Sequence, residues 1–554
     1  MLLRNLVIGI GLCLSSVGIS AQDLPHAGIA TAHPAATQAG HNVLAKGGNA
    51  FDAAVAVTAT LAVVEPYSSG IGGGGFWLLH RARDGKQVML DGRETAPGRA
   101  HRDMYLDEAG NVRPRASIDG PLAAGIPGVP AALEHLAVNY GNLPLSVSLQ
   151  PAIQAARKGF LVDAIYQRMV GFRLEAISAS VDAAAIFLND NAVPELGYRI
   201  QQHDLANTLE RIAEQGAKGF YRGVVAQRLV NGARAAGGIW RLEDLANYKV
   251  VERQPLIKKI GQAKIVAVPP PSSGGVALLS ILKQIDGFKH LSTNIHDKHI
   301  VVESMRRAYR DRAEFLGDSD FVDVPVARLI SDEHARKLRA GIDINNATPN
   351  SDLPRTVVSN NASTDTTHFS IMDRQGNRVA ATLSINYPFG SGFVPTGTGV
   401  LLNDEMDDFS AKAGTPNVYG LVGAKANEIA AYKRPLSSMS PTFIESPRGV
   451  AILGTPGGSR IITMVLHGIL DYLDGGDAKS MVRKRRYHHQ YLPDQIQHER
   501  GAFSKQQVDE LQLRGHTLSQ RDDYGNMQVI LWERESNTLD AASDPRGVGS
   551  AAVK

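Results

Sequence analysis

Two alternating segments in the second half of the chain predict a β-hairpin. Apolar and polar residues alternate over positions 368–373 and again over 378–386. Asp373, Gly376 and Asn377 lie between the two segments, and these residue types favour tight turns. The hydrophobic pattern therefore indicates two antiparallel strands joined by a short turn.

The same pattern predicts how the two strands pair. The alternating apolar residues of both segments have odd numbers: Phe369, Ile371, Val379, Ala381, Leu383 and Ile385. They share one face only when paired residue numbers sum to an even value near 750 or 752. That register places Thr366 opposite Ser384 or Asn386, with all three on the polar face and cross-strand Cβ atoms about 5 Å apart. Taken alone, this is also the pattern of an ordinary hairpin with a polar surface.

Other segments predict the elements around the hairpin. Pro151 is expected near the start of a helix, where proline is tolerated. Residues 345–364 are rich in Asn, Ser, Thr and Pro and lack periodicity, so a flexible surface segment is predicted just before Thr366. A strand is expected at 76–80, and helices are expected at 53–64, 148–158, 205–214, 296–316 and 461–470.

Length and charge narrow the class of protein. With 554 residues the chain is too long for one core, so two modules or one large layered domain are expected. The net charge of +3 comes from well-mixed signs, which indicates neither nucleic-acid binding nor membrane binding.

The first residues predict an export signal. A positively charged start precedes an apolar stretch over 6–19, and the small residues Ser20 and Ala21 follow it. We therefore predict a secretory signal peptide over 1–21 and a periplasmic or secreted protein with no membrane attachment after cleavage, although an uncleaved anchor would also fit. The only cysteine, Cys13, lies inside this stretch, so the mature protein is expected to lack disulfides.

Two further patterns have structural explanations. The basic run 483–486 is interpreted as a solvated helix end, with anion binding as the lesser alternative. The adjacent His488 and His489 do not place two metal ligands on one helix face, and no metal site is predicted. Residues 70–75 match G-x-G-x-x-G, but they follow a predicted helix and precede a predicted strand. A dinucleotide site needs the reverse order, so these glycines are interpreted as close backbone packing near the active centre.

Three polar motifs follow the hairpin. Residues 402–410 place four carboxylates within five positions, 433–442 form a hydroxyl-rich turn, and 454–460 are rich in glycine. Each motif alone is typical of a structural loop. A chain cut after Asp365, however, would give Thr366 a free α-amino group, so that one residue would carry both nucleophile and base.

In their residues and in their order along the chain, these motifs resemble those of the γ-glutamyltransferase family of N-terminal nucleophile hydrolases, in its bacterial periplasmic branch. The resemblance runs from about residue 26 to residue 546, nearly the whole mature chain. The segments that carry it are TTHFS (366–370), NDEMDDF (403–409), PNVYG (416–420), RPLSSMSPT (434–442), GTPGGSR (454–460), GGGGF (72–76), DGRE (91–94) and PPPSSGG (269–275).

The resemblance implies an α+β fold of the four-layer αββα sandwich type and self-cleavage between Asp365 and Thr366. A large subunit, 22–365, and a small catalytic subunit, 366–554, would stay associated as a heterodimer. The implied substrates are glutathione and related γ-glutamyl compounds, with water, amino acids or dipeptides as acceptors, and no cofactor is implied.

The resemblance also implies roles for single residues. The catalytic group would be Thr366, Ser384 beside it, and the backbone N–H groups of Gly457 and Gly458 as oxyanion donors. The substrate α-carboxylate would bind Arg93, Ser437 and Ser438, since a guanidinium can bind a carboxylate through two parallel hydrogen bonds. The α-ammonium group would bind Asn386, Glu405 and Asp408, and Tyr419 would lie in a covering loop over 416–433.

Three alternatives stay open on the sequence. The nearest is an amidase of the same superfamily that prefers glutaryl or cephalosporin-like acyl groups, although a glutaryl group has no ammonium for the predicted set to bind. The second is an uncleaved secreted binding protein. The third, a Ser-His-Asp hydrolase, lacks the G-x-S-x-G motif.

Overall fold

The computed structural model describes residues 24–288, 295–348, 366–412 and 414–554. The predicted signal peptide (1–21), Asp365 and most of the segment predicted over 345–364 lie outside the described residues. Within the described part of the chain, none of the helices combines the length and apolar character needed to cross a bilayer.

The described residues form two large antiparallel sheets. The first has the strand order β18-β1-β9-β10-β2-β3-β6, and the second has the order β17-β16-β12-β11-β8-β7. The strands are β1 (Gly28–Thr31), β2 (Gly74–Arg81), β3 (Lys86–Gly92), β4 (Phe160–Leu161), β5 (Arg199–Ile200), β6 (Val251–Arg253), β7 (Leu256–Ile260), β8 (Ala263–Ala267), β9 (Thr367–Met372), β10 (Arg378–Ser384), β11 (Thr442–Glu445), β12 (Gly449–Gly454), β13 (Tyr487–His488), β14 (Ile496–Glu499), β15 (Leu518–Arg521), β16 (Gln528–Glu533), β17 (Thr538–Ser543) and β18 (Ser550–Val553).

Helices cover the outer faces of both sheets. They are α1 (Pro34–Leu44), α2 (Ala50–Val64), α3 (Val129–Asn139), α4 (Leu145–Lys158), α5 (Ala164–Ser178), α6 (Val181–Phe187), α7 (His203–Gln215), α8 (Lys218–Tyr221), α9 (Gly223–Ala235), α10 (Leu242–Ala246), α11 (Gly274–Asp286), α12 (Ile295–Phe315), α13 (Val326–Leu329), α14 (Asp332–Ala340), α15 (Ile461–Leu473), α16 (Ala478–Arg483) and α17 (Lys505–Leu513). All five predicted helices and the strand at 76–80 are confirmed, with ends shifted by a few residues.

The predicted hairpin is the centre of the first sheet. Strands β9 and β10 pair antiparallel with Arg378 opposite Met372 and Leu383 opposite Thr367, so each pair sums to 750 as predicted. Both neighbours of the hairpin, β1 and β2, are also paired, which leaves neither strand at an edge. The register is fixed because a shift by one residue would exchange the two faces.

Both faces of the hairpin are buried, which gives the fold its four layers. The odd-numbered face, including Phe369 and Leu383, packs against the helical layer that contains α2. The even-numbered face looks toward the second sheet, where Met372 and Ala380 share one core with residues of β11, β12 and the helices α11, α12 and α15. The predicted four-layer α+β sandwich is confirmed, and the polar face of the hairpin is an interior surface, not a solvated one.

Two local predictions differ from the structure. Pro151 lies well inside α4, so the carbonyl one turn before it loses its helical partner there. The basic run is not wholly solvated: α16 ends at Arg483, but Arg486 is buried, where its guanidinium pairs with Asp544 and donates to the carbonyl of Tyr524. Burial of Arg486 is possible because these two partners replace its water.

Candidate active site

Thr366 stands immediately before β9, at the inner end of the hairpin. Its side chain is buried, and its Oγ1 lies 3.5 Å from Ser384 Oγ at the end of β10. Ser384 Oγ also accepts a 2.8 Å hydrogen bond from the backbone N–H of Asn386. The register therefore brings together the hydroxyl pair that the hydrophobic pattern predicted.

Asn386 turns the chain away from the sheet directly after β10. It adopts a φ of 73°, a left-handed conformation that asparagine tolerates better than most residues. Its Nδ2 donates to the carbonyl of Asp404 at 3.0 Å, and the next residue, Tyr387, donates its N–H to Asp404 Oδ1 at 2.9 Å. The end of the hairpin is thus tied to the acidic motif.

The glycines before β2 allow this close approach. A Cβ on Gly72 would lie 2.1 Å from the carbonyl oxygen of Leu401, and one on Gly73 would lie 2.2 Å from that of Ser384. Asn403 Nδ2 donates to the carbonyl of Gly72 at 2.7 Å. The interpretation of this run as close backbone packing is confirmed.

Arg93 follows β3 and lies between two carboxylates of the acidic motif. Its guanidinium is 2.6 Å from Glu405 Oε2 and 2.5 Å from Asp408 Oδ2, and its Nε donates to the carbonyl of Pro435 at 3.2 Å. Burial alone would lower the pKa of Arg93, but Glu405 and Asp408 together raise it. In the empty site the predicted carboxylate-binding and ammonium-binding groups therefore neutralise one another.

Two buried carboxyl groups beside Arg93 hold protons unusually tightly. Burial raises the pKa of Glu405 to about 7, although the charge of Arg93 opposes the shift. Glu94 is fully buried, 3.7 Å from Arg93, and burial together with the charge of Glu405 raises its pKa well above its ordinary value. One guanidinium cannot keep all of these carboxyl groups ionised in a dry site.

Gly457 and Gly458 lie between β12 and α15. Their φ angles are 144° and 55°, which suit glycine; Gly457 immediately precedes the helical turn Gly458–Arg460, and Gly458 begins it. A Cβ on Gly458 would lie 2.7 Å from Tyr419 Cδ1. The backbone at Gly458 therefore lies directly beneath the Tyr419 ring.

The covering loop is attached to the site at several points. Asp407 accepts hydrogen bonds from the Ser117 hydroxyl at 2.7 Å and from the Val418 N–H at 2.9 Å. Asp408 Oδ1 accepts from Asn417 Nδ2 at 3.1 Å. The acidic motif thus supports the loop as well as the pocket.

The hydroxyl-rich turn forms the wall behind Arg93. Ser437 Oγ accepts from the N–H of Met439 at 3.1 Å, and its carbonyl accepts from the Ser273 hydroxyl at 2.6 Å. Ser438 Oγ accepts from the guanidinium of Arg312 at 3.3 Å. Sequence reasoning did not select Arg312, because the helical pattern over 296–316 does not show that this charged side chain is buried.

Nearly all predicted site residues line one small cavity. Its volume is about 20 Å³, room for about one water molecule. A second cavity of about 730 Å³ meets the first at Thr366. Among the predicted site residues that the structure describes, Gly457 alone is outside the small cavity's lining, which contains Arg93, Thr366, Ser384, Asn386, Glu405, Asp408, Tyr419, Ser437, Ser438 and Gly458.

Within the described ranges, no three His, Cys, Asp or Glu side chains are grouped so as to hold a metal ion. His488 and His489 are both buried; His488 Nδ1 lies 2.9 Å from the Thr463 hydroxyl and His489 Nε2 lies 2.9 Å from Asp494.

Known proteins are similar to this chain in sequence over nearly their full length. The glutathione hydrolase proenzyme of Escherichia coli is 40% identical over 526 residues, covering 94% of this chain and 90% of its own. The proenzyme of the same name from Pseudomonas aeruginosa is 39% identical and covers 100% and 99%.

Solved structures agree with the sequence matches. A cephalosporin acylase from Bacillus halodurans superposes with a TM-score of 0.83 at 26% identity, covering 96% of both chains. The γ-glutamyltranspeptidase of Helicobacter pylori has a TM-score of 0.56 at 38% identity, covering 63% of this chain and 97% of its own. The family model described as gamma-glutamyltranspeptidase matches residues 36–554, and the chain belongs to that family.

Proposed function

We propose that this protein is a self-processing γ-glutamyltransferase that uses Thr366 as its nucleophile. The observation that carries the proposal is the position of Thr366 at the junction of the two cavities, with its Oγ1 3.5 Å from Ser384 Oγ. The small cavity is lined by charged groups suited to the α-carboxylate and α-ammonium of an amino acid, and its volume of about 20 Å³ must grow as those groups part to admit them. The large cavity offers room for the rest of a substrate.

Processing would begin within the precursor. Thr366 Oγ attacks the carbonyl carbon of Asp365, the peptide C–N bond breaks, and the acyl group moves to the threonine oxygen as an ester. The hydroxyl proton passes to the departing nitrogen, so this shift already frees the α-amino group of Thr366. Water then hydrolyses the ester, which restores the Thr366 hydroxyl and leaves a carboxylate at the end of Asp365. The products would be a large subunit, 22–365, and a small subunit, 366–554, held together by a shared core. The predicted signal peptide would direct this precursor to the periplasm or the exterior.

Donor binding would exchange partners around Arg93. The α-carboxylate of the γ-glutamyl donor replaces Glu405 and Asp408 on the guanidinium, and the donor's α-ammonium group then takes these two carboxylates. Every charge keeps an opposite partner throughout, so the exchange avoids leaving a bare ion in a buried site. Asn386, Ser437 and Ser438 would complete the cradle with neutral hydrogen-bonding groups.

Acyl transfer would proceed at the junction of the cavities. The freed α-amino group of Thr366 accepts the Oγ proton while Oγ attacks the γ-carbonyl carbon; an unperturbed α-amine has a pKa of about 7.7–8.0, so a useful fraction is neutral. The N–H groups of Gly457 and Gly458 stabilise the oxyanion. The amine leaves with the proton, and water or an acceptor amine then releases the γ-glutamyl group from the ester.

A glutaryl or cephalosporin acylase is the second candidate, because a cephalosporin acylase superposes over almost the whole chain. The carboxylates of Glu405 and Asp408 favour the first candidate, since a glutaryl group brings no cation to them. The comparison of L-γ-glutamyl-p-nitroanilide with glutaryl-p-nitroanilide tests this. Faster turnover of the glutaryl amide would overturn the γ-glutamyl assignment.

The test of processing is direct. Purified active protein should run as two bands on a denaturing gel, and N-terminal sequencing of the smaller band should begin at Thr366. An active preparation that consists of a single intact chain would contradict the proposal.

A further inference from the structure

A buried arginine lies behind the proposed donor pocket. Arg312 is on α12, and its side chain is only 5% exposed. Its Nε donates to Ser273 Oγ at 3.0 Å, and its guanidinium also donates to Ser438 Oγ at 3.3 Å. Both partners are neutral hydroxyl groups.

The protein's own carboxylates compensate the charge of Arg312 poorly. Throughout the described chain, no carboxylate oxygen lies within 4.0 Å of its guanidinium, in contrast to Arg93, which has Glu405 and Asp408. Burial lowers the pKa of Arg312, and Asp408 acts on it only through longer-range attraction. Burying a cation without an anionic partner costs free energy, and an anion that binds nearby reduces that cost.

The two hydroxyl groups transmit the position of Arg312 to the pocket wall. Ser273 accepts from Arg312 and donates its own proton to the carbonyl of Ser437 at 2.6 Å. Ser438 accepts from Arg312, which leaves its O–H to donate in another direction, and Ser438 lines the small cavity with Arg93. Arg312 therefore sets the direction of one hydroxyl proton and supports the neighbouring backbone.

We propose that Arg312 is a positioning residue for the donor's α-carboxylate. It orients the Ser438 hydroxyl so that its proton points at the carboxylate, and it places a second positive charge behind the one that Arg93 supplies. The inference rests on the proposed function, because it assumes that an α-carboxylate occupies the small cavity. It predicts that selection for that group depends on Arg312 although the side chain does not line the cavity.

The test compares two donors that differ only at the α-position. One is L-γ-glutamyl-p-nitroanilide, and the other is the same compound with its α-carboxylate converted to a carboxamide. In Arg312→Gln we expect normal splitting into two subunits, a KM for the carboxylate donor raised by about tenfold or more, and a kcat within about threefold of the parent. The KM for the carboxamide donor should hardly change, so the preference for the carboxylate collapses.

Two further variants separate positioning from general damage. Arg310→Gln changes an exposed arginine on the same helix and should leave both donors unaffected. Ser438→Ala should produce the same loss of preference, and adding Arg312→Gln to it should cost much less than in the parent, because the two residues act through one hydrogen bond.

Several outcomes would overturn the inference. These are an equal rise in KM for both donors, a loss confined to kcat, or full additivity with Ser438→Ala. If Arg312→Gln does not process, Arg312→Lys replaces it and the ratio between the two donors decides. Failure of the parent enzyme to turn over either donor would instead count against the proposed function.

Discussion

The Tyr419 hydroxyl donates a 2.6 Å hydrogen bond to the backbone carbonyl of Asn386. This bond joins the covering loop to the residue that ends the central hairpin. The same ring lies over Gly458, and the Tyr419 carbonyl accepts from Gln490 at 3.2 Å. One side chain thus connects the loop, the proposed ammonium site and the proposed oxyanion site.

Tyr419→Phe should loosen this connection while keeping the ring in place. A neutral hydrogen bond contributes about 0.5–1.5 kcal/mol, so we expect KM for a γ-glutamyl donor to rise about twofold to tenfold, with normal processing. Steady-state kinetics will measure the change. Tyr432→Phe is the matched control, because Tyr432 lies near the end of the same loop, is 43% exposed and should alter KM little. Equal effects of the two variants would contradict a specific role for the Tyr419 hydroxyl.

Thr366→Ala should give an unprocessed and inactive precursor, because it removes the attacking oxygen from both reactions. Thr366→Ser keeps that oxygen and should still split, more slowly than the parent. Denaturing gels followed over time will distinguish the three proteins. Thr367→Ser is the control: it retains the hydroxyl that donates to Glu65 and should process normally. Splitting of the alanine variant at the same bond would exclude Thr366 as the nucleophile.

Gly458→Ala should lower kcat by about 10²-fold or more. The new Cβ would lie 2.7 Å from the Tyr419 ring in a backbone with φ of 55°, so the N–H proposed to bind the oxyanion must move. Gly475→Ala is the matched control, since Gly475 has a φ of 91° but no atom within 4 Å of an added Cβ. That variant should lose some stability but keep its kcat. A kcat for Gly458→Ala close to that of the control would remove Gly458 from the oxyanion site.

The raised pKa of Glu405 predicts how donor binding changes with pH. Only the ionised carboxylate of Glu405 can neutralise the donor's ammonium group. Burial raises the pKa of the Glu405 carboxyl to about 7. Donor affinity should therefore increase as pH rises from 6 to 8. Glu405→Gln cannot ionise, so we expect weaker binding overall and the loss of this pH-dependent component. A pH profile of KM for both proteins is the measurement, and identical profiles would contradict the assignment.

The raised pKa of Glu405 also makes the stability of the folded protein depend on pH. The folded-state pKa of about 7 lies above the unfolded value of about 4.3, so the folded protein holds this proton more tightly. The resulting stabilisation is complete below pH 4.3 and is lost as pH rises through about 7. Thermal unfolding of the empty enzyme should thus show a contribution that declines between these values, and Glu405→Gln should lack it.

The sequence alone determined the local architecture around Thr366. Alternation with a period of two, together with turn residues at 373–377, is enough to define the hairpin, and parity then allows only registers that place Thr366 near Ser384. The buried helix α2 was equally readable, because helical periodicity depends on neighbours within a few residues. The order of helix, glycine run and strand is also a local property, but the groups that the glycines approach, at Leu401 and Ser384, lie far along the chain. The order of the polar motifs was sufficient to indicate the family.

Only the tertiary structure decided which polar groups are buried and which groups they contact. Arg93 meets Glu405 and Asp408 more than 300 positions away, and Arg312 reaches Ser438 across 126 residues. Periodicity reports which side of an element is polar, but it does not report whether water or a second sheet covers that side. For this reason the sequence showed the hairpin's polar face, and the stacking of the two sheets made that face an interior surface.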